Sequence, residues 1–149
     1  RVLPLEAFFT GPRQTVRRHD EVLTAVRVPA PPSGFGAAYA RFGLREGNAI
    51  AVAAVAAGLR LDGAGKTTEA RVVLNAVAPL PKLVDGAARA LVGRELEEAA
   101  IARAASAARQ AAEPITDLRG SAGFRRDLVE VLARRALAAA ARRARESRA

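Results

Sequence analysis

The stretch that decides the fold is Ile50-Ala51-Val52-Ala53-Ala54-Val55-Ala56-Ala57-Gly58-Leu59-Arg60-Leu61, followed by Asp62-Gly63-Ala64-Gly65 and Thr68–Val77. By propensity alone the first segment is divided. Its alanines favour helix and Asn48 is a candidate cap, while Gly58 and the β-branched Ile50, Val52 and Val55 favour strand. The continuation decides it. Asp62–Gly65 is a tight-turn sequence, and beyond it Ala70, Val72, Leu74 and Ala76 alternate with Arg71, Val73, Asn75 and Val77. Two such runs around a glycine-rich turn predict a β-hairpin.

Working outward, Ala37–Arg45 reads as a further strand, with Glu46-Gly47-Asn48 as a turn. Glu21–Pro29 also alternates, with Val22, Thr24, Val26 and Val28 on one side, and predicts a strand. Pro29, Pro31, Pro32, Ser33 and Gly34 form the clearest linker in the chain and mark a boundary. Ahead of them, Arg1–Thr15 reads as a loop, aromatic at Phe8-Phe9 and broken by Gly11-Pro12.

Downstream the period changes to helical. Pro79 and Pro81 end the strands. Lys82–Val92 places Val84, Ala87, Ala88 and Leu91 on one face, and Gly93 stops it. Glu95–Ala112 follows, with Glu95, Glu97 and Glu98 in its first turn, where the macrodipole favours anions. A third helix is expected near residues 122–145, capped by Ser121, with a buried stripe of Phe124, Leu128, Val131, Leu132 and Ala136 and a Glu130–Arg134 pair. Strands followed by helices argue an α+β fold: a three-stranded antiparallel sheet, near 37–45, 50–61 and 68–78, packed against three helices.

Composition sets limits on chemistry. The 149 residues suit one domain, or one domain and a piece of another. No run of roughly 18 apolar residues is present, so no membrane span is expected, and the arginines at 13, 17 and 18 do not suit a signal peptide. With no cysteine, iron–sulfur ligation and thiol catalysis are excluded within this sequence. The net charge of +9 is carried almost wholly by arginine, Lys66 and Lys82 being the only lysines. That usage, with abundant alanine, fits a GC-rich coding bias. A single-strand nucleic-acid binder would interleave exposed aromatics, and here Tyr39 is the only tyrosine and tryptophan is absent.

The catalytic inventory is short. His19, beside Asp20, reads as a solvated loop residue. Glu97 and Glu98 are adjacent on a helix and point apart. Asp62–Thr68 ends like a phosphate loop in Gly-Lys-Thr, but the first glycine of the full pattern is missing and no helix follows. The pairs Arg134-Arg135 and Arg142-Arg143 offer a grip for an acidic partner, with a solvated helix face the favoured reading. No catalytic residue and no metal ligand is assigned.

Four stretches carry a resemblance across nearly all of the sequence. Pro4–Thr15 contains Phe8-Phe9-Thr10-Gly11-Pro12-Arg13-Gln14-Thr15. Glu21-Val22-Leu23 runs on to Val28-Pro29. Tyr39-Ala40-Arg41-Phe42-Gly43-Leu44-Arg45 precedes Ile50-Ala51-Val52. Asp117-Leu118-Arg119-Gly120-Ser121-Ala122-Gly123-Phe124-Arg125-Arg126 is the last. In this order and spacing the chain resembles the C-terminal part of the FAD-binding medium subunit of the xanthine dehydrogenase and carbon monoxide dehydrogenase family of molybdenum hydroxylases. Arg41 stands where many members have lysine, and Phe124 where tyrosine is common.

The resemblance implies that residues 1–32 are the C-terminal tail of an FAD-binding domain and residues 33–149 the flavoprotein C-terminal α+β domain. It implies an oxidoreductase complex in which electrons pass from 2Fe–2S centres through FAD to an acceptor. FAD would be held mainly by glycine-rich loops upstream of this sequence, so the chain alone would be inactive. The resemblance places Leu23, Tyr39, Arg41 and Arg45 beside the flavin. The partners implied are a molybdopterin-binding large subunit and an iron–sulfur small subunit in a cytoplasmic hetero-oligomer, with no nucleic acid. The alternative reading is a small basic, non-enzymatic module that binds nucleic acid or an acidic protein.

Overall fold

The computed structural model describes residues 1–148. It divides into two compact units, Arg1–Pro31 and Pro32–Ala149.

The first unit has no buried side chain. A 3₁₀ turn, Leu5–Ala7, leads into a small antiparallel hairpin of β1 (Phe9–Gly11) and β2 (Gln14–Thr15), with Arg13 at φ 61 in its turn. The loop expected over Arg1–Thr15 therefore contains these elements. The strand expected over Glu21–Pro29 is absent: the segment belongs to no strand or bridge, and Val22 is 84% exposed. Alternation stabilises a strand only where one face is buried or a ladder partner is at hand. What orders this segment is polar. Glu21 accepts from the Arg18 backbone N–H and from the side chains of Arg1 and Arg18, at 2.8–3.2 Å. Arg17 donates to the carbonyls of Arg18 and Glu21.

The second unit is built on a four-stranded antiparallel sheet in sequential order, β3 (Phe35–Phe42), β4 (Ala53–Leu61), β5 (Thr67–Asn75) and β6 (Lys82–Leu83). The decisive hairpin forms as expected. Val55 pairs with Leu74 and Ala57 with Val72, and Ala38 of β3 sits opposite Ala57. Odd-numbered residues of β4, including Val55, Ala57, Leu59 and Leu61, point into the core with Val72 and Leu74. Burying each of the larger ones is worth about 1.5–3 kcal/mol. Ala76 takes φ 64, which ends β5 and turns Val77 inward.

The fourth strand is a departure from the expected three. Lys82 and Leu83 pair with Leu74 and Val73, and the Val84 N–H donates to the Val72 carbonyl. Those backbone bonds hold the residues out of the helix expected to start at Lys82, so α1 spans Asp85–Leu91. Likewise Glu95 bridges to Lys66 and the Arg94 carbonyl accepts from Thr67, which delays α2 to Glu98–Ala111 and leaves only Glu98 in its first turn.

Helix α3, Ala122–Glu146, begins where Ser121 caps it by accepting from the Phe124 N–H. Its buried face differs from the expected stripe. Leu132 and Ala136 are buried, but they are joined by Val129, Ala133, Leu137, Ala140, Ala141 and Ala144, while Phe124 and Val131 are exposed. Small residues face the sheet because α3 crosses β3 closely: a Cβ on Gly36 would strike the Ala140 carbonyl and the Ala144 amide. The Glu130–Arg134 pair forms at 3.4 Å, with Glu98 also on Arg134.

The three helices pack on one face of the sheet. Residues of the opposite face, among them Ala37, Tyr39 and Arg41 of β3, stand across from Gly58, Ala56 and Ala54 of β4.

Candidate functional site

Tyr39 and Arg41 lie two apart on β3, so both point to the face away from Ala38, Ala40 and the helices. Tyr39 is 58% exposed and paired across the ladder with Ala56, whose methyl leaves its ring uncovered. β3 ends at Phe42, so Arg41 belongs to the strand, and the connection to β4 starts at Gly43.

That connection is braced by the two arginines. Arg41 Nη1 donates to the Ala49 carbonyl at 3.1 Å, and Arg45 Nη2 donates to the Asn48 carbonyl at 2.8 Å. Asn48 sits at φ 50, a left-handed geometry that asparagine tolerates. Each guanidinium spends one of its five donors on the loop and keeps the rest for other acceptors. The loop thus presents two positive charges from a fixed backbone beside an exposed phenol. Leu23 belongs to the first unit, where it is 57% exposed in the unpaired segment.

Below the loop, Phe42 packs edge-on against Phe124 with centroids 6.0 Å apart. Arg125, the next residue of α3, is 4% exposed and pairs with Asp117, which also takes the Arg119 backbone N–H. That backbone bond first, and the Arg125 guanidinium second, hold the Asp117 carboxyl below its ordinary value. The Asp117–Arg126 stretch quoted above thus ties the approach to α3 to the helix itself, and has a structural role.

Among the described residues no group of three His, Asp or Glu side chains is placed to hold a metal. The turn Asp62–Lys66 does not form a phosphate cradle. Asp62 Oδ1 already accepts from the Ala64 and Lys66 N–H groups at 2.9 Å, and its carbonyl accepts from Gly65. An internal carboxylate therefore occupies the donors that a pyrophosphate would need.

Two arginines that the sequence reading left out of the site join this face. Arg71 of β5 and Arg143 of α3 line a shallow open cavity of about 450 Å³ together with Ala37, Tyr39, Ala56 and Gly58. Strand alternation does put Arg71 on the face opposite Val72. Nothing in sequence could bring Arg143 to β3, 106 residues away, where its Nη1 donates to the Ala37 carbonyl.

The sequence of this unit matches a known family. Over residues 37–140 the chain belongs to the CO dehydrogenase flavoprotein C-terminal domain family. A similar protein is the carbon monoxide dehydrogenase medium chain of Afipia carboxidovorans, 35% identical over 144 residues, which are 97% of this chain and 49% of that one. The putative xanthine dehydrogenase FAD-binding subunit of Escherichia coli is 27% identical over 141 residues, 94% of this chain and 48% of that one. Among solved structures, carbon monoxide dehydrogenase from Hydrogenophaga pseudoflava lacking the Mo-pyranopterin moiety of its cofactor matches with a TM-score of 0.88 and 35% identity, over 96% of this chain and 49% of that one. The chain spans about half the length of the curated relatives it matches. No helix among the described residues is long and apolar enough to cross a membrane.

Proposed function

We propose that this chain is the C-terminal part of the FAD-binding medium subunit of a molybdenum hydroxylase, and that it flanks the flavin rather than holding it. The family match over residues 37–140 carries the proposal, and the exposed Tyr39 beside the braced Arg41 and Arg45 supports its site. In this reading Arg1–Pro32 is the tail of the FAD-binding domain and contributes Leu23 to the ring's surroundings. The partners are a molybdopterin-binding large subunit and a 2Fe–2S small subunit in a cytoplasmic assembly.

FAD, when bound, supplies the relay between the iron–sulfur centres and an electron acceptor. The residues of this chain act on its environment. Tyr39 offers an aromatic face to stack against. Arg41 and Arg45 place positive charge at a fixed position, and that field favours added negative charge on a neighbouring ring, raising its reduction potential. The bonds to Ala49 and Asn48 keep those charges from moving when the ring's charge changes. The test is purification of the native assembly through this chain. Flavin, iron and molybdenum in fixed ratio to the chain are the expected result. A colourless chain retaining nucleic acid in a salt-sensitive way would overturn the reading in favour of a basic binding module.

A further inference from the structure

Helix α3 runs antiparallel to β3. Its C-terminal end meets the start of the strand, where Arg143 donates to the Ala37 carbonyl and the Ser147 hydroxyl to the Phe35 carbonyl. Its first turn comes to the strand's far end, where Phe124 stands edge-on to Phe42. Phe42 is the last residue of β3, and its carbonyl accepts the Val52 N–H at 2.8 Å, the bond that closes the loop to β4.

The bonds from Arg41 to Ala49 and from Arg45 to Asn48 tie the loop to itself. They set its shape and leave open how it stands on the sheet. Arg41 and Phe42 are neighbours about 3.8 Å apart at Cα and point to opposite faces of the strand. A contact that fixes Phe42 from the helix side therefore fixes the base from which Arg41 projects on the other.

Phe124 is itself held from behind. Its N–H bonds the Ser121 hydroxyl at 3.2 Å, and its ring lies so close to Gly120 that a Cβ there would meet it at 2.9 Å. Gly120 and Asp117 exchange backbone hydrogen bonds, and Asp117 pairs with the buried Arg125. The rings of Phe42 and Phe124 are only partly covered, at 36% and 43% exposure. Their contact adds little to the core. Its consequence is directional, since an edge-on aromatic pair favours one geometry.

We infer that Phe124 is a positioning residue for the candidate flavin site: through Phe42 it fixes where the β3–β4 loop stands, and with it the Arg41 and Arg45 guanidiniums. The inference rests on the functional reading above and deepens it, because a charge shifts a neighbouring ring's potential only from a defined distance.

The experiment uses the assembled, flavin-containing enzyme. It reads the flavin midpoint potential and, by mass spectrometry, hydrogen exchange over the peptide that carries the Val52 amide. Phe124→Ala should speed that exchange about two- to tenfold, the worth of one edge-on aromatic contact, and should lower the potential in the direction expected for Arg41→Ala. Phe124→Tyr keeps the ring and should match the unsubstituted protein in both readouts, with Phe124→Leu between the two. In a background carrying both Arg41→Ala and Arg45→Ala, Phe124→Ala should still speed exchange and no longer move the potential. Val129→Ala truncates a fully buried side chain of the same helix; it should cost stability and leave the potential unchanged.

Unchanged Val52 exchange, or a potential that ignores Phe124→Ala, would overturn the inference; Phe124→Leu decides if the alanine variant does not assemble. So would a shift that persists without the two arginines, or an equal shift from Val129→Ala. Flavin content of the unsubstituted assembly separates the two levels. A flavin-loaded enzyme indifferent to Phe124 removes this inference alone, whereas an assembly without flavin removes the functional reading and this inference with it.

Discussion

The two units of this chain are ordered by different forces. Arg1–Pro31 contains no buried side chain and is tied by Glu21 and three arginines. Pro32–Ala149 buries a continuous core running from Ala38 to Ala144. The contrast shows what hydrophobic patterning encodes. Val22, Val26 and Val28 alternate as neatly as Val72 and Leu74, yet only the second set has a ladder partner and a layer of helices to bury against.

Substitution should separate the units most sharply. Leu59→Ala removes a fully buried side chain from β4 and is expected to cost roughly 2–5 kcal/mol, read as a large drop in the midpoint of urea unfolding. Val22→Ala, on the exposed segment, should stay within about 0.5 kcal/mol. Comparable losses from both would erase the distinction. A smaller effect is expected from Ser121→Ala, which deletes the α3 cap and should cost about 1 kcal/mol; an unchanged midpoint would show that the helix start is held by the Asp117–Arg125 pair instead.

Acid should act on the units differently. Glu21 is lowered from 4.5 to about 2, first by the Arg18 backbone N–H and next by the Arg1 side chain. A depressed carboxyl stabilises the fold above its unfolded value and loses that contribution as pH falls to its folded one. The ties of the first unit should therefore weaken between pH 4.5 and about 2, while the core of the second persists. Proton NMR of the Arg18 amide, which donates to Glu21, would follow this. A shift of that amide with a midpoint near the ordinary glutamate value would contradict it. Asp117 is also lowered, so the α3 approach in the second unit should resist acid below the usual aspartate range.

The sequence made the sheet legible wherever burial and turn chemistry agreed, as in the hairpin around Asp62–Lys66, the stop at Gly93 and the cap at Ser121. It misled where backbone partners decided. β6 exists because β5 offers it a ladder, and no side-chain period reports that. Periodicity rewards size and so puts the α3 stripe on its larger residues, whereas Gly36 requires alanines on the face that meets it. At the candidate site, Tyr39, Arg41 and Arg45 were marked by resemblance. That Arg41 and Arg45 brace the loop, and that Arg143 joins the same face, are consequences of tertiary approach. One subtler prediction tests the bracing. Arg41→Ala in the assembled enzyme should lower the flavin potential and change acceptor reduction with FAD still bound; unchanged values for both would remove Arg41 from the site.

The central claim is that this chain completes an FAD site whose pyrophosphate is held by the rest of the subunit. Equilibrium dialysis of FAD against residues 1–149, alone and joined to the remaining half of the flavoprotein, addresses it directly. The account predicts no saturable binding by the chain alone, because Asp62 occupies the N–H groups of its one glycine-rich turn, and stoichiometric binding once the other half is present. Stoichiometric, sub-micromolar binding of FAD by the chain alone would contradict it.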